Sequence, residues 1–255
     1  IWQFTFTKGI INMIRLILIV LYIILHAIFG IILLPLCWIT GKINPQAKDR
    51  MSLAIIKVTF RMILFISGVK TTAIGVENIP KDEPVLFVGN HRGFYDIIVS
   101  YIYMKRPTGY VAKKEMNNFL YVRRWMRNIQ CLFLDRENMK EGLKTILKGI
   151  DNIKNGISVF IFPEGTRNKN DGIQEFHAGS FKFAEKTNCK IIPVVQNNTD
   201  AVFERQLPRI RKAHTVIEFG KPIDITQFSK EDRRQIHEYT RNVMLEMYEK
   251  NKALV

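Results

Sequence analysis

Hydrophobic and polar positions divide the chain into two textures. From Leu16 to Thr40 no Asp, Glu, Lys or Arg interrupts a run of mainly Ile, Leu, Val and Phe. Crossing a hydrocarbon core of about 30 Å takes about 20 apolar residues in a helix, so this run predicts a membrane segment. It is too long for the apolar region of a cleaved leader and continues into Pro35-Leu36-Cys37-Trp38, so it reads as a retained anchor. A second apolar stretch, Leu53 to Ile66, carries Lys57 and Arg61. On a helix these two share a face and can reach lipid phosphates, although the same pattern fits a helix packed on a soluble core. Turn formers separate the two stretches at Gly41-Lys42-Ile43-Asn44-Pro45. The pair is therefore either a hairpin dipping into one leaflet or one span followed by a surface helix.

Beyond Gly68 short apolar runs alternate with polar stretches. Val85 to Val88, Tyr110 to Ala112, Cys131 to Leu134, Ser158 to Phe162, Ile191 to Val195 and Thr215 to Phe219 read as buried strands. Helical patterns at Asn118 to Asn128, Glu141 to Asn155 and Ala178 to Thr187 lie between them. The alternation predicts an α/β fold, a mixed sheet covered by helices. A last long helix is expected over Ser229 to Asn251, from a capping-box-like start at Ser229 with Asp232. The organisation is membrane-anchoring helices over residues 1–69 and an α/β domain over 70–255.

Candidate chemistry collects where strands end. Val85-Leu86-Phe87-Val88 runs into Gly89-Asn90-His91-Arg92-Gly93-Phe94-Tyr95-Asp96. On one continuous helix, five residues turn through about 500°, so His91 and Asp96 converge only if His91 precedes a helix that holds Asp96 in its first turns. The carboxylate would then orient the imidazole and leave its second nitrogen free as a general base, a role suited to a side chain with a pKa of about 6.5. Ser158 to Phe162 runs into Pro163-Glu164-Gly165-Thr166-Arg167, where Gly165 permits a tight turn and Arg167 offers a fork for phosphate. Arg136 follows the run ending at Leu134, and Lys113 and Lys114 follow another. Each position alone also fits an ordinary surface loop. Together they place one base and several cations at strand ends, where α/β sheets bind ligands.

Charge narrows the partners: 38 Lys and Arg against 23 Asp and Glu give +15, which favours phosphorylated ligands, acidic lipid or nucleic acid. The three cysteines, Cys37, Cys131 and Cys189, have no spacing for zinc or a secreted disulfide framework and suit a reducing cytosol. No recognised nucleic-acid motif accompanies the charge, so nucleic acid is not expected as a partner.

With these residues in place, the sequence resembles the lysophosphatidic acid acyltransferase family, the 1-acylglycerol-3-phosphate O-acyltransferases of the PlsC type. Asn90-His91 through Asp96 matches the NHxxxxD block, and Phe133 with Asp135-Arg136 matches the second block. Phe162 to Arg167 matches the third block and Ile192-Pro193-Val194 the fourth, all in order between Val85 and Val195. Two positions depart from the pattern: Gly93 is commonly Ser, and Gln130 stands where the second block often begins with Gly.

The resemblance implies acyl transfer from a thioester, on coenzyme A or acyl carrier protein, to the sn-2 hydroxyl of 1-acylglycerol-3-phosphate. It implies His91 as base and Asp96 as its orienting partner. Arg136, Glu164 and Arg167, with Gly165, Thr166 and Lys113, would hold the glycerol phosphate. No metal or other cofactor is expected, and membrane phospholipids surround the site, which would face the cytosol on a bacterial inner membrane. A sister acyltransferase for another lysolipid or glycerol-3-phosphate, and a noncatalytic binder of acidic membranes, remain open alternatives.

Overall fold

The computed structural model describes residues 2–255, with side chains from Gly9 onward. Two helices open the chain, α1 (Trp2–Ile43) and α2 (Pro45–Ser67). They separate where the Asn44 side chain accepts the Ala47 N–H and Pro45 takes a first helical position that needs no donor. Gly68, at φ 70°, closes α2 in the left-handed conformation that glycine tolerates. The helices run antiparallel: Cys37 meets Ser52, and Arg15 lies beside Gly68.

The strands are β1 (Lys70–Ile74), β2 (Leu86–Gly89), β3 (Thr108–Lys113), β4 (Leu132–Leu134), β5 (Ser158–Ile161), β6 (Ile191–Asn197) and β7 (His214–Phe219). They form one mixed sheet in the order β1-β7-β6-β2-β5-β3-β4, parallel except where β7 meets β6. The remaining helices are α3 (Tyr95–Tyr101), α4 (Leu120–Asn128), α5 (Met139–Lys154), α6 (Lys182–Thr187) and α7 (Ile236–Lys252). One core packs α1 to α4 on one face of the sheet through Ile56, Val99, Trp125 and Phe160. The second packs α5 to α7 on the other face through Ile153, Val159, Phe183 and Met244. Side chains alternate between these cores along β5, Val159 to one and Phe160 to the other, as a strand covered on both faces requires.

The α/β architecture expected from the alternation is present. Strand β1 was not expected: its Lys-Thr-Thr stretch is polar because it lies at the sheet edge. The final helix begins later than Ser229. Ser229 and Asp232 do bond to each other, but they head a single tight turn, and α7 starts at Ile236. The odd Gln130 also has an account. It adopts φ 62°, a conformation glycine favours, and its side chain donates to Asp49 of α2 at 2.9 Å, tying the helical hairpin to the sheet.

Candidate active site

Strands β2 and β5 are neighbours whose following helices, α3 and α6, lie on opposite faces of the sheet. That divergence opens a crevice at the strand ends. The Asn90 side chain extends the pairing of β2 with β6, donating to the Gln196 carbonyl at 2.9 Å and accepting the Gln196 N–H at 2.8 Å. This fixes the chain just before His91.

Asp96 sits on the first turn of α3 with no exposure to solvent. Its Oδ2 accepts the N–H groups of Arg92 at 2.6 Å and Gly93 at 2.7 Å and lies 2.8 Å from His91 Nδ1. Three donors on one oxygen hold the carboxylate as an acceptor, so Nδ1 carries its proton toward it. The imidazole stacks on Phe162 at 4.2 Å between ring centroids and 17° between planes. No described residue bonds Nε2, and His91 lines the cavity.

That cavity has a volume of about 740 Å³. Its deep walls are apolar and come from both sides of the sheet, Tyr101, Tyr110 and Met126 on the hairpin side and Val111, Ile146 and Phe183 on the other. Lys113, Arg136, Thr166 and Arg167 line it with His91, so a cationic rim adjoins an apolar interior. Gly165 turns at φ 76°, and its carbonyl accepts from the Arg136 guanidinium. Arg167 lies 4.4 Å over the Phe94 ring and 3.7 Å from Glu204. Lys114 faces elsewhere, held by Asp135 at 3.1 Å and Glu137 at 3.2 Å. Among the described residues no group of three His, Cys, Asp or Glu side chains could hold a metal ion.

Glu164 requires a correction. Expected on the phosphate, it is 4 % exposed and absent from the cavity wall. Its Oε1 accepts the His91 N–H at 2.7 Å and its Oε2 the Gln174 N–H at 3.0 Å. Burial pushes its carboxyl above the usual range, against the pull of those two N–H groups. Glu164 is thus a brace between strand ends. In Glu164→Gln one N–H would face an amide NH2, so stability should fall by about 1–3 kcal/mol. Thermal unfolding reads this, and an unchanged midpoint would refute the brace.

Several further groups surround the site. His177 lines the cavity, and a Cβ at Gly165 would lie 3.2 Å from its Nε2. Arg92, inside the first block, is buried against Asp200 at 3.0 Å and donates to the Asn170 carbonyl at 2.8 Å. Glu204 accepts the Phe94 N–H at 2.6 Å, and a Cβ at Gly93 would meet its carboxyl. A second histidine on the loop after β5 was the one visible signal; the others are contacts between distant segments.

The chain is similar to known proteins over most of its length. The Acyltransferase family profile matches residues 70–197. A curated 1-acyl-sn-glycerol-3-phosphate acyltransferase of Borreliella burgdorferi is 27 % identical over 200 residues, covering 78 % of this chain and 80 % of its own. The enzyme of the same name from Escherichia coli is 27 % identical over 231 residues, covering 90 % of each. The crystal structure of the 1-acyl-sn-glycerophosphate acyltransferase PlsC from Thermotoga maritima shares the fold, with a TM-score of 0.78 and 23 % identity over 95 % of this chain and 98 % of that one.

Proposed function

The chain belongs to the acyltransferase family, and from that premise we propose that it transfers a fatty acyl group from a thioester to the sn-2 hydroxyl of 1-acylglycerol-3-phosphate, giving phosphatidic acid. The observation that carries this is the His91 ring, held by Asp96, presenting Nε2 to an apolar cavity with a cationic rim. The relatives of that name support the acceptor.

In this reading Arg136, Arg167 and Lys113 hold the phosphate, with Gly165 and Thr166 shaping the turn between them, while the apolar walls take acyl chain. Nε2 accepts the proton of the sn-2 hydroxyl as its oxygen bonds to the thioester carbonyl carbon. The tetrahedral intermediate collapses with cleavage of the C–S bond, and the thiolate takes the proton back from the imidazolium. Asp96 stabilises that imidazolium and stays ionised. The thiolate is already a good leaving group, so no acyl-enzyme is required. The donor is an acyl thioester of coenzyme A or acyl carrier protein.

Acceptor choice tests the reading. Detergent-purified protein should turn over 1-acylglycerol-3-phosphate in preference to glycerol-3-phosphate and to lysolipids lacking a terminal phosphate, with products identified by mass. Preference for one of those would assign a sister activity instead.

The hairpin supports a one-leaflet anchor. Residues Gly9–Ile43 are long and apolar enough to cross a membrane. Yet α1 touches the sheet domain along its length: the Asn12 carbonyl accepts the Ile210 N–H, and the Tyr121 hydroxyl of α4 donates to the His26 carbonyl at 2.8 Å and lies against Gly30. Asn12 to Gly30 spans about 27 Å, nearly a full hydrocarbon thickness, so a perpendicular α1 would drag α4 into lipid. Ile17, Leu21, Ile24, Ile28 and Ile31 form an exposed stripe on α1, with Val58, Met62 and Phe65 on α2. Leu18, Val20, Ile23, Leu25, Phe29 and Ile32 are exposed as well, so apolar surface covers most of α1 and the pair fits a hairpin sunk into the apolar part of one leaflet. Gly9→Cys and Lys42→Cys should both label with an impermeant maleimide added outside preformed vesicles, the parent serving as blank. Protection of one end alone would show a span. The three free cysteines suit a site facing a reducing cytosol, and relatives from Borreliella burgdorferi and Escherichia coli support a bacterial inner membrane.

A further inference from the structure

We propose that Thr199 is a positioning residue for acyl transfer, acting on His91 through Asp96. The proposal rests on the acyl-transfer reading above and extends it to a segment outside the four motif blocks. Asp96 Oδ2 is filled by two backbone N–H groups and His91, as described; its other oxygen, Oδ1, accepts the Thr199 hydroxyl. Thr199 is wholly buried, so water cannot replace that donor.

The chain is built to deliver this hydroxyl. Strand β6 ends at Asn197, and Asn198 turns back at φ 63°, a conformation that asparagine tolerates better than most residues. Thr199 then opens one tight helical turn, Thr199–Ala201. The next residue, Asp200, grips Arg92 at 3.0 Å and Arg205 at 2.9 Å. Burial opposes its charge, but the two guanidiniums hold its carboxyl below the usual range. Glu204 accepts the Phe94 N–H in the same stretch. Residues 199–204 thus engage Arg92, Phe94 and Asp96, the backbone that surrounds His91.

The functional consequence is directional. A carboxylate saturated with donors carries less charge toward His91 and has one orientation. Without the hydroxyl, more negative charge faces the imidazolium and the carboxylate can rotate. The charged and titratable groups facing Asp96 besides His91 are Arg92, Glu164, Glu204 and Tyr110, and all remain in the variants.

Thr199→Val and Thr199→Ser in the full chain test this. Val keeps the shape and removes the hydroxyl; Ser keeps the hydroxyl. In Thr199→Val, kcat should fall about 10- to 100-fold, the weight of one hydrogen bond to a buried ionised carboxylate, with KM for the acceptor little changed. The acid limb of its kcat/KM profile should move to higher pH. Thr199→Ser should restore both. With histidine labelled by 15N, the downfield His91 Nδ1 proton, assigned by its loss in His91→Gln, should shift in Thr199→Val and return in Thr199→Ser. Parent-like kcat, pH profile and resonance in a folded Thr199→Val would overturn the proposal. If the parent transfers no acyl group to any lysolipid, the functional reading fails, and the Nδ1 resonance alone decides whether Thr199 positions the pair.

Discussion

His91→Ala is expected to lower kcat by between about 100- and 10,000-fold while the protein stays folded, the range contributed by a positioned general base. Nδ1 is committed to Asp96 at 2.8 Å, the ring is clamped on Phe162, and Nε2 alone faces the cavity. His177 lines the same cavity, but no Asp or Glu bonds its ring among the described residues, so its tautomer is not fixed in the way that of His91 is. Alanine removes a side chain that bonds only to Asp96, and the backbone bond from His91 N–H to Glu164 survives. The measurement is the initial rate of thiol release with saturating acceptor. A variant within tenfold of the parent would show that the hydroxyl loses its proton elsewhere.

Asp96→Asn should cost about 1,000- to 10,000-fold in kcat, the scale seen when a base is held in the wrong tautomer. Donors reach both carboxylate oxygens: the N–H groups of Arg92 and Gly93 and His91 Nδ1 at one, the Thr199 hydroxyl at the other. An amide offers one accepting oxygen and one NH2. With its oxygen toward the two backbone N–H groups, the NH2 meets Thr199, and the imidazole loses the negative charge that stabilises its protonated form. With the amide reversed, NH2 faces two N–H groups and drives His91 to accept at Nδ1, placing the proton on Nε2. The first orientation weakens the base and the second removes it. Stability should fall as well, because buried donors lose an ionised partner. Near-parent turnover in Asp96→Asn would mean that the carboxylate does not set the imidazole.

The sequence makes the strand-end chemistry legible because it is local. Val85 to Asp96 and Ser158 to Arg167 are each one strand and its turn, and the five-residue spacing of His91 and Asp96 required the bend now seen between β2 and α3. Apolar runs marked β2 to β7, the edge strand β4 included, because both faces of the sheet are covered, whereas the polar Lys-Thr-Thr of β1 at the other edge left no such run. Glu164 was misplaced for a physical reason. A carboxylate beside a glycine turn looks solvent-facing in one dimension, and only packing shows that both oxygens are consumed by backbone N–H groups. Thr199, Asp200 and Glu204 lie more than a hundred residues from Asp96, Arg92 and Phe94, and no periodicity records such contacts. The contact of Tyr121 with His26, between helices far apart in sequence, likewise leaves no periodic signal.

Counting both products of one reaction tests direct transfer through His91. Purified parent and His91→Ala proteins receive an acyl thioester and 1-acylglycerol-3-phosphate, with free thiol and phosphatidic acid quantified together. One phosphatidic acid per thiol from the parent, and neither from His91→Ala above background, is the predicted result. Thiol released without phosphatidic acid, or equal product from both proteins, would contradict direct transfer through His91.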